Sequence, residues 1–455
     1  DVFSSYPKEL GHFGFNPSQI MGLCELAQET KNEKYTKLAE VFVNMRGSQA
    51  GGTDQNQDKT PLRDEVMPVG HAVTSTYLYA GATDVYSSTG EYALFVALER
   101  IWKDMVAKRM YITGGVCPDF IGHSERGNVT FESHATEYVL PNKIAYNESC
   151  ANIGAVMWMM RMLAVTGDTK YGDWAEQILY NAGISGSNLS LTRYFYSNPL
   201  AYRKDVQIPY IVDVPNNLNV QYAHKATRRW HTFTCWCCPP QLFRTMAGVG
   251  RWIYGDSDSE VFVNLFANCD YEGKSAKLSM KTNYPWDGKI TIDVEKADNT
   301  KVNLRIPAWC KNAVLNGQSV PSGGYAQVSV NTGDLIELDL PMAVRFMQAN
   351  ANVEQDRGMI CIQRGPIVYC AEACDNTVEL DNIYLDPKAE YRCSFEGELL
   401  NGVVTIKTDA VIRTQQDTLY YELVTEEERK EITLIPYYTW ANREESDMSV
   451  WFPKA

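Results

Sequence analysis

The sequence predicts an α + β chain of several domains. A helical first part spans residues 1–255, a β-sandwich follows over 256–355, and 356–455 is a second sandwich or a C-terminal β region. Three observations predict it. Before residue 255 apolar residues recur at helical spacing, in paired segments joined by short turns. Beyond about residue 256 the spacing becomes the strict alternation of half-buried strands. No low-complexity linker separates the two regimes, so the domains are expected to pack rigidly.

Taken in order, "NPSQIMGLCELAQETKNEKYTKLAEVFVNMRG" (16–47) reads as two amphipathic helices broken near 30–32. Asn16 is placed to cap the first, with Pro17 at its first helical position. "GHAVTSTYLYAGATDVYSSTG" with "EYALFVALERIWKDMVAKRM", and "ESCANIGAVMWMMRMLAVTG" with "KYGDWAEQILYNAG", repeat the plan. A recurring helical hairpin of this kind is expected to wind into a toroid or solenoid. The Pro239–Pro240 pair ends an extended segment and starts another helix at "QLFRTMAGVGRWIYG". In the second half, "KITIDV", "KVNLRI", "AQVSV", "LIELDL", "GVVTIKT" and "EITLIPYYTW" are short alternating runs bounded by turn residues. Asn316-Gly317, between two such runs, predicts a tight hairpin.

Composition narrows the function classes. With 45% hydrophobic and 22% charged residues in 455, the chain is ordinary globular protein, large enough for more than one core. A formal charge of −14 argues against nucleic acid or anionic membranes as partners. No apolar run reaches the roughly 18 residues of a spanning helix. The twelve cysteines lack the regular spacing of a disulfide scaffold, and most, such as Cys24, are expected to be buried small hydrophobes. The chain opens with Asp1 and shows no targeting segment, which leaves periplasm and cytoplasm both open.

Three stretches of the helical half carry chemistry. "WHTFTCWCCPP" holds Cys235, Cys237 and Cys238; "YNESCANIG" holds Glu148 and Cys150; "NVTFESHATEYVLPN" holds Glu132, His134 and Glu137. Adjacent cysteines are too close for an unstrained disulfide. Glu148, Cys150, Cys237 and Cys238 would supply four zinc-type ligands in two close pairs, since zinc commonly takes four Cys, His or carboxylate donors. The competing reading is packed thiols brought together by chance, because neither pair has zinc-finger spacing. A metal-bound cysteine is deprotonated, hence nucleophilic if one sulfur faces a pocket. His71 is a candidate substrate contact or a satisfied core histidine. His123, His134, His224 and His231 read as solvated loop residues, and the aromatic run with Tyr194, Phe195, Tyr196 and Asn198 as core or sugar wall.

"LPNKIAYNESCANIG", "RWHTFTCWCCPP", "RMYITGGV", "GHAV" and "YFYSNPL" resemble the signature segments of glycoside hydrolase family 127. In the β half, "YPWDGKITI", "LRIPAWC", "GDLIELDLPM" and "RGPIVYCAE" are similar to that family in the same order, so the resemblance spans about residues 16–375. It implies an (α/α)6-toroid catalytic domain, here expected to lack its N-terminal helices, and β-L-arabinofuranosidase activity. It implies Zn2+ held by Glu148, Cys150, Cys237 and Cys238, with Cys237 also the nucleophile that forms a thioglycosyl intermediate. The acid/base position falls on Glu132, sixteen residues before Glu148, with Glu125 and Glu137 as fallbacks. His71 and Tyr196 match sugar contacts.

This chain departs from the family's pattern in extra residues between Gly115 and Glu132, in Thr74 after "GHAV", and in Gln241 after "CCPP". These changes leave open a differently substituted furanose, such as a branched acidic deoxysugar met by Arg126 or Arg193. A noncatalytic glycan-binding protein with structural zinc is the alternative of another class. The expected partners are arabinofuranosides in pectic or glycoprotein glycans, with a homodimer as an open possibility and neither nucleic acid nor membrane.

Overall fold

A computed structural model describes residues 16–204, 229, 237–422 and 427–455. Helices come first. Helices α1 (Gln19–Thr30) and α2 (Lys34–Met45) are followed by α3 (Ala72–Thr89) and α4 (Tyr92–Lys108), then α5 (Ser149–Thr166), α6 (Thr169–Ile178) and α7 (Cys238–Gly248). The turn between α1 and α2 is made by Lys31 at φ 53°. Asn16 does not cap α1: its Oδ1 accepts the Ser18 N–H at 2.9 Å inside a preceding turn, and the helix starts later than Pro17.

Burial sorts the helices into two kinds. Helices α3 and α5 are buried on nearly every face, whereas α4 and α6 bury one side only. A helix apolar all round belongs inside, and an amphipathic one outside. The inner pair crosses closely: a Cβ on Gly154 of α5 would sit 2.2 Å from Thr76 Oγ1 of α3. At this crossing glycine is needed for approach.

The helical part also contains strands that helical periodicity did not predict. Strands β1 (Asp119–His123) and β2 (Val129–Ser133) form an antiparallel hairpin between Gly115 and the end of the Glu132 segment. Ser133 forms an isolated bridge with His71, so the hairpin leans on the start of α3. Further on, β3 (Ala201–Tyr202) waits for a partner from the C-terminal part.

Past Trp252 the chain becomes a sandwich. Its short strands are β4 (Tyr254–Asp256), β5 (Glu260–Val263) and β6 (Cys269–Glu272), and its long ones β7 (Ala276–Thr282), β8 (Lys289–Ala297) and β9 (Thr300–Ile306). Then come β10 (Val314–Leu315), β11 (Gln318–Ser319), β12 (Gly324–Val330) and β13 (Leu335–Asp339). One sheet runs β11-β10-β13-β8-β7-β6 and the other β12-β9-β5-β4, with β5 and β9 parallel. Both cover one apolar core that includes Val261, Leu278, Ile292 and Leu304. Asn316 and Gly317, at φ 49° and 77°, join β10 to β11, the double positive φ that a two-residue hairpin of this hand demands.

The C-terminal part is one branched sheet rather than a second sandwich. Its spine is β14 (Val344–Met347), β15 (Met359–Arg364), β16 (Ile367–Glu372), β20 (Glu428–Pro436), β19 (Val403–Ile412) and β17 (Ile383–Tyr384). Strand β18 (Arg392–Glu396) pairs with β19, β22 (Trp451–Pro453) with β15, and β21 (Met448–Ser449) with both β16 and β3. The last pairing ties the C-terminal sheet to the helical part.

Arg305 of β9 fixes the sandwich to α6. Fully buried, it donates to Asp173 Oδ1 and Glu176 Oε1 at 2.6 Å each and to the Asn264 carbonyl at 2.6 Å. Glu176, itself buried, also accepts Tyr284 Oη at 2.7 Å. Losing the arginine strands a buried carboxylate, which costs about 3–5 kcal/mol. Arg305→Met should therefore lower the urea midpoint by a corresponding amount, and Arg305→Met/Glu176→Gln should recover part of it. Equal losses in the single and double variants would refute the coupling.

Candidate active site

Three helix N-termini converge on one cavity of about 520 Å³. His71 is the N-cap of α3, Glu148 that of α5, and Cys237 that of α7. Cys150 lies in the first turn of α5, and Cys238 opens α7 ahead of Pro239, where a missing N–H does no harm. Each N-terminus presents about half a positive charge, so anionic side chains are favoured there.

The four predicted ligands meet. Ligand atoms of Glu148, Cys150, Cys237 and Cys238 all lie within 4.8 Å of one another. Cys237 Sγ is 3.7 Å from Cys238 Sγ, and Glu148 Oε1 is 3.8 Å from the first sulfur and 3.7 Å from the second. Of these residues only Cys237 is exposed; its sulfur faces the cavity, 3.8 Å from Tyr196 Oη.

Electrostatics indicates what the cluster needs. Burial, then Glu132 and Cys237, push the Glu148 carboxyl well above the usual carboxylate range. The Cys150 thiol is likewise pushed up, first by its hydrogen bond with Cys237. Glu148 Oε2 is buried with no hydrogen-bond partner. Protein groups alone therefore push Glu148 and Cys150 toward their protonated forms and leave one oxygen unsatisfied. A cation answers both demands, and three sulfurs with one carboxylate oxygen suit a thiophilic divalent metal.

Glu132 sits on the other wall. It is the penultimate residue of β2, at φ 50°, a left-handed conformation uncommon for residues other than glycine. Its Oε1 accepts Tyr146 Oη at 2.6 Å, and its Oε2 lies 2.9 Å from His71 Nε2. His71 Nδ1 accepts the Thr74 N–H at 3.4 Å, which leaves Nε2 as the protonated nitrogen that donates to Glu132. The Gln55 amide clamps the neighbouring Phe131, accepting its N–H at 2.7 Å and donating to its carbonyl at 3.2 Å. His71 thus holds Glu132 as well as lining the cavity.

Several expectations are redirected. Glu125 and Glu137 do not line the cavity; they bind Arg109 at 2.7 Å and Lys108 at 2.6 Å. Arg126 is consumed by Asp54 and Glu65, and Arg193 lines a separate cavity. His134 is not a solvated loop residue: it is buried, with Nε2 2.7 Å from Ser75 Oγ. Cys235, His12, His224 and His231 lie outside the described residues.

Sequence reasoning missed the groups that brace the site. The Asn147 carbonyl accepts Asn198 Nδ2 at 2.8 Å and Asn152 Nδ2 at 3.3 Å, while Asn198 Nδ2 also reaches Ser149 Oγ at 3.0 Å. These amides fix the first turn of α5 and so Glu148 and Cys150. Tyr146, Asn147 and Asn152 were signalled only by their place inside "YNESCANIG", and Asn198 by the aromatic run; Gln55 gave no signal.

Comparison with known proteins now bears on this geometry. Residues 8–251 match the β-L-arabinofuranosidase GH127 catalytic domain, 260–342 the GH127 middle domain, and 344–453 the GH127 C-terminal domain. The chain belongs to glycoside hydrolase family 127. It is 30% identical to the non-reducing end β-L-arabinofuranosidase of Bifidobacterium longum subsp. longum, over 96% of this chain and 70% of that one. Among solved structures, a glycoside hydrolase superposes with a TM-score of 0.91 at 33% identity, covering 100% of this chain and 78% of the other. A GH127 β-L-arabinofuranosidase from Geobacillus stearothermophilus T6 gives 0.84 at 33% identity, covering 96% and 72%. The GH127 chain is accordingly a glycoside hydrolase of mixed helical and β architecture. No helix among its described residues is long and apolar enough to cross a membrane.

Two measurements follow. The GH127 chain should bind one thiophilic divalent metal, and Cys238→Ser or Glu148→Gln should reduce affinity by about 10-fold or more in competition with a chelator; unchanged affinity would remove these residues from the ligand set. The second concerns acid. Burial, then the Arg109 guanidinium, lowers the His134 pKa to about 3, below the unfolded value of about 6.5. The neutral ring thus contributes stability that is whole above about pH 6.5 and is lost as pH falls toward 3. His134→Gln should lose less stability than the parent between pH 7 and pH 4, read from urea midpoints at each pH. Parallel losses would contradict this.

Proposed function

We propose that the chain is a retaining, exo-acting hydrolase that releases a terminal β-L-arabinofuranose, using Cys237 as nucleophile and Glu132 as acid/base. One observation carries the reading: the single exposed sulfur of a buried thiol cluster shares a cavity with a carboxyl held by two donors. The names of its relatives supply the sugar. We further assign zinc to Glu148, Cys150, Cys237 and Cys238, the (α/α) toroid to the helical region, and a domain limit near 255, with the second, expected near 355, drawn instead near 343, where β14 enters the C-terminal sheet.

When bound, zinc would keep the cluster's sulfurs ionised near neutral pH and make a thiolate a better leaving group. The remaining work belongs to side chains. Glu132, in its acid form, donates its proton to the glycosidic oxygen as that bond breaks. Cys237 Sγ attacks the anomeric carbon from the opposite face, and a carbon–sulfur bond forms. Glu132, now a carboxylate, takes a proton from water, whose oxygen attacks the same carbon and expels the Cys237 thiolate. Two displacements retain configuration. Tyr146 and His71 aim the carboxyl throughout, and Tyr196, beside the nucleophile, meets the sugar.

Cys237→Ser should abolish turnover of an aryl β-L-arabinofuranoside, and mass spectrometry of the parent after brief exposure to a slow substrate should show a glycosyl adduct on Cys237. Glu132→Gln should lower kcat/KM by about 10²–10⁴ for poor leaving groups and less for activated ones. Full activity in Cys237→Ser, or an adduct elsewhere, would sink the assignment.

A further inference from the structure

The catalytic cavity does not end at the thiols. Ser18 and Arg244 line both it and a second cavity of about 300 Å³ between α1, α5 and α7, whose far wall includes Arg251 and Trp252. Arg244 lies about 9 Å along α7 from Cys238, at 1.5 Å per residue, so it stands beyond a sugar seated at the thiols. Gln241 Oε1 accepts Arg244 Nη2, while Gln241 Nε2 rests on Met157 Sδ at 3.2 Å. Arg251 Nε donates to the Gly248 carbonyl at 3.2 Å. Neither arginine has a carboxylate within 4.0 Å among the described residues, whereas the neighbouring Arg161 is taken by Asp84 at 2.9 Å and Glu25 at 3.6 Å.

Charge therefore changes sign along the groove. Around the cleaved bond the walls carry Glu132, Glu148 and the thiols, with Arg244 at the outer edge. One step outward Glu25 is met by Arg161, and Arg244 and Arg251 add two guanidinium groups with no carboxylate partner among the described residues, beside an indole. A carboxylate on the released sugar would face that acidic wall, but one on the next unit would face guanidinium groups that match it two-pronged. Release of a terminal sugar leaves only the rest of the glycan to fill the second cavity. We infer that this cavity, with Arg244 and Arg251, binds a uronic-acid unit joined directly to the released furanose. The inference rests on the hydrolase reading above.

The test uses the metal-loaded full chain and two disaccharides of identical linkage, β-L-arabinofuranosyl-galacturonate and β-L-arabinofuranosyl-galactose. At low salt kcat/KM should favour the uronate by about tenfold, and the preference should shrink as salt screens the arginines. Arg251→Ala should lower kcat/KM for the uronate severalfold more than for the galactoside, and Arg251→Lys should recover part of the difference. Equal turnover of both disaccharides, or an equal effect of Arg251→Ala on both, overturns the inference and leaves the hydrolase reading standing. If neither is cleaved the hydrolase reading falls, and calorimetry with digalacturonate decides the groove: binding lost in Arg251→Ala upholds it, and no binding overturns it.

Discussion

The site is governed by an excess of buried negative charge. A carboxylate and three sulfurs share a space within 4.8 Å, with Glu132 beyond them. Three helix N-termini point at this charge, yet each contributes at most about 2 kcal/mol. Burying an unpaired ion costs several kcal/mol. The dipoles cannot close that gap, and the raised pKa values of Glu148 and Cys150 record the shortfall. A divalent cation would close it, and in doing so would convert a cluster of inert thiols into thiolates. On the proposed mechanism, metal binding and nucleophile activation would be one electrostatic event.

Such a cluster works only on a frame that cannot relax around it. The close α3–α5 crossing at Gly154, the asparagine braces under Glu148, and the paired donors on Glu132 all remove freedom from the ligand and acid/base walls. The β domains extend that frame. Arg305 ties β9 to α6, and the β3–β21 pairing ties the C-terminal sheet to the segment just after Asn198. The Glu132 carboxyl, the proposed acid/base, is borne near a strand end rather than on a helix, where a left-handed φ and two external donors set its direction.

What could be read in the sequence was what local chemistry alone determines. The Asn316-Gly317 turn follows from backbone sterics, and the prolines after Cys238 from the first-turn rule, so both were legible. The ligand set was half legible: donor types and pairing suggested a metal, but only the fold brings Glu148 and Cys237 together across 89 positions. The β1–β2 hairpin was not legible, because a short polar insertion has no periodicity to betray it. His134 was misread because its neighbours are polar while its actual partner, Ser75, is 59 positions away. Arg126 failed as a sugar contact for the same reason, its carboxylate partners lying 72 and 61 positions distant.

Why the doublet should be two cysteines, and why only one of them is open to the cavity, follows from helix geometry. Successive residues at a helix start diverge by about 100°, since a turn holds 3.6 residues. Cys237 at the N-cap and Cys238 at the first position cannot both face the cavity. One turns to solvent and the other is buried against α5, as their exposures record. Yet their sulfurs remain 3.7 Å apart, close enough to share one ion. A single cysteine would give either an anchored ligand or an accessible sulfur. Adjacent cysteines at a helix N-terminus give both: under the proposed mechanism Cys238 would anchor a metal in the wall, and the same metal would hold the open sulfur of Cys237 ionised toward the cavity.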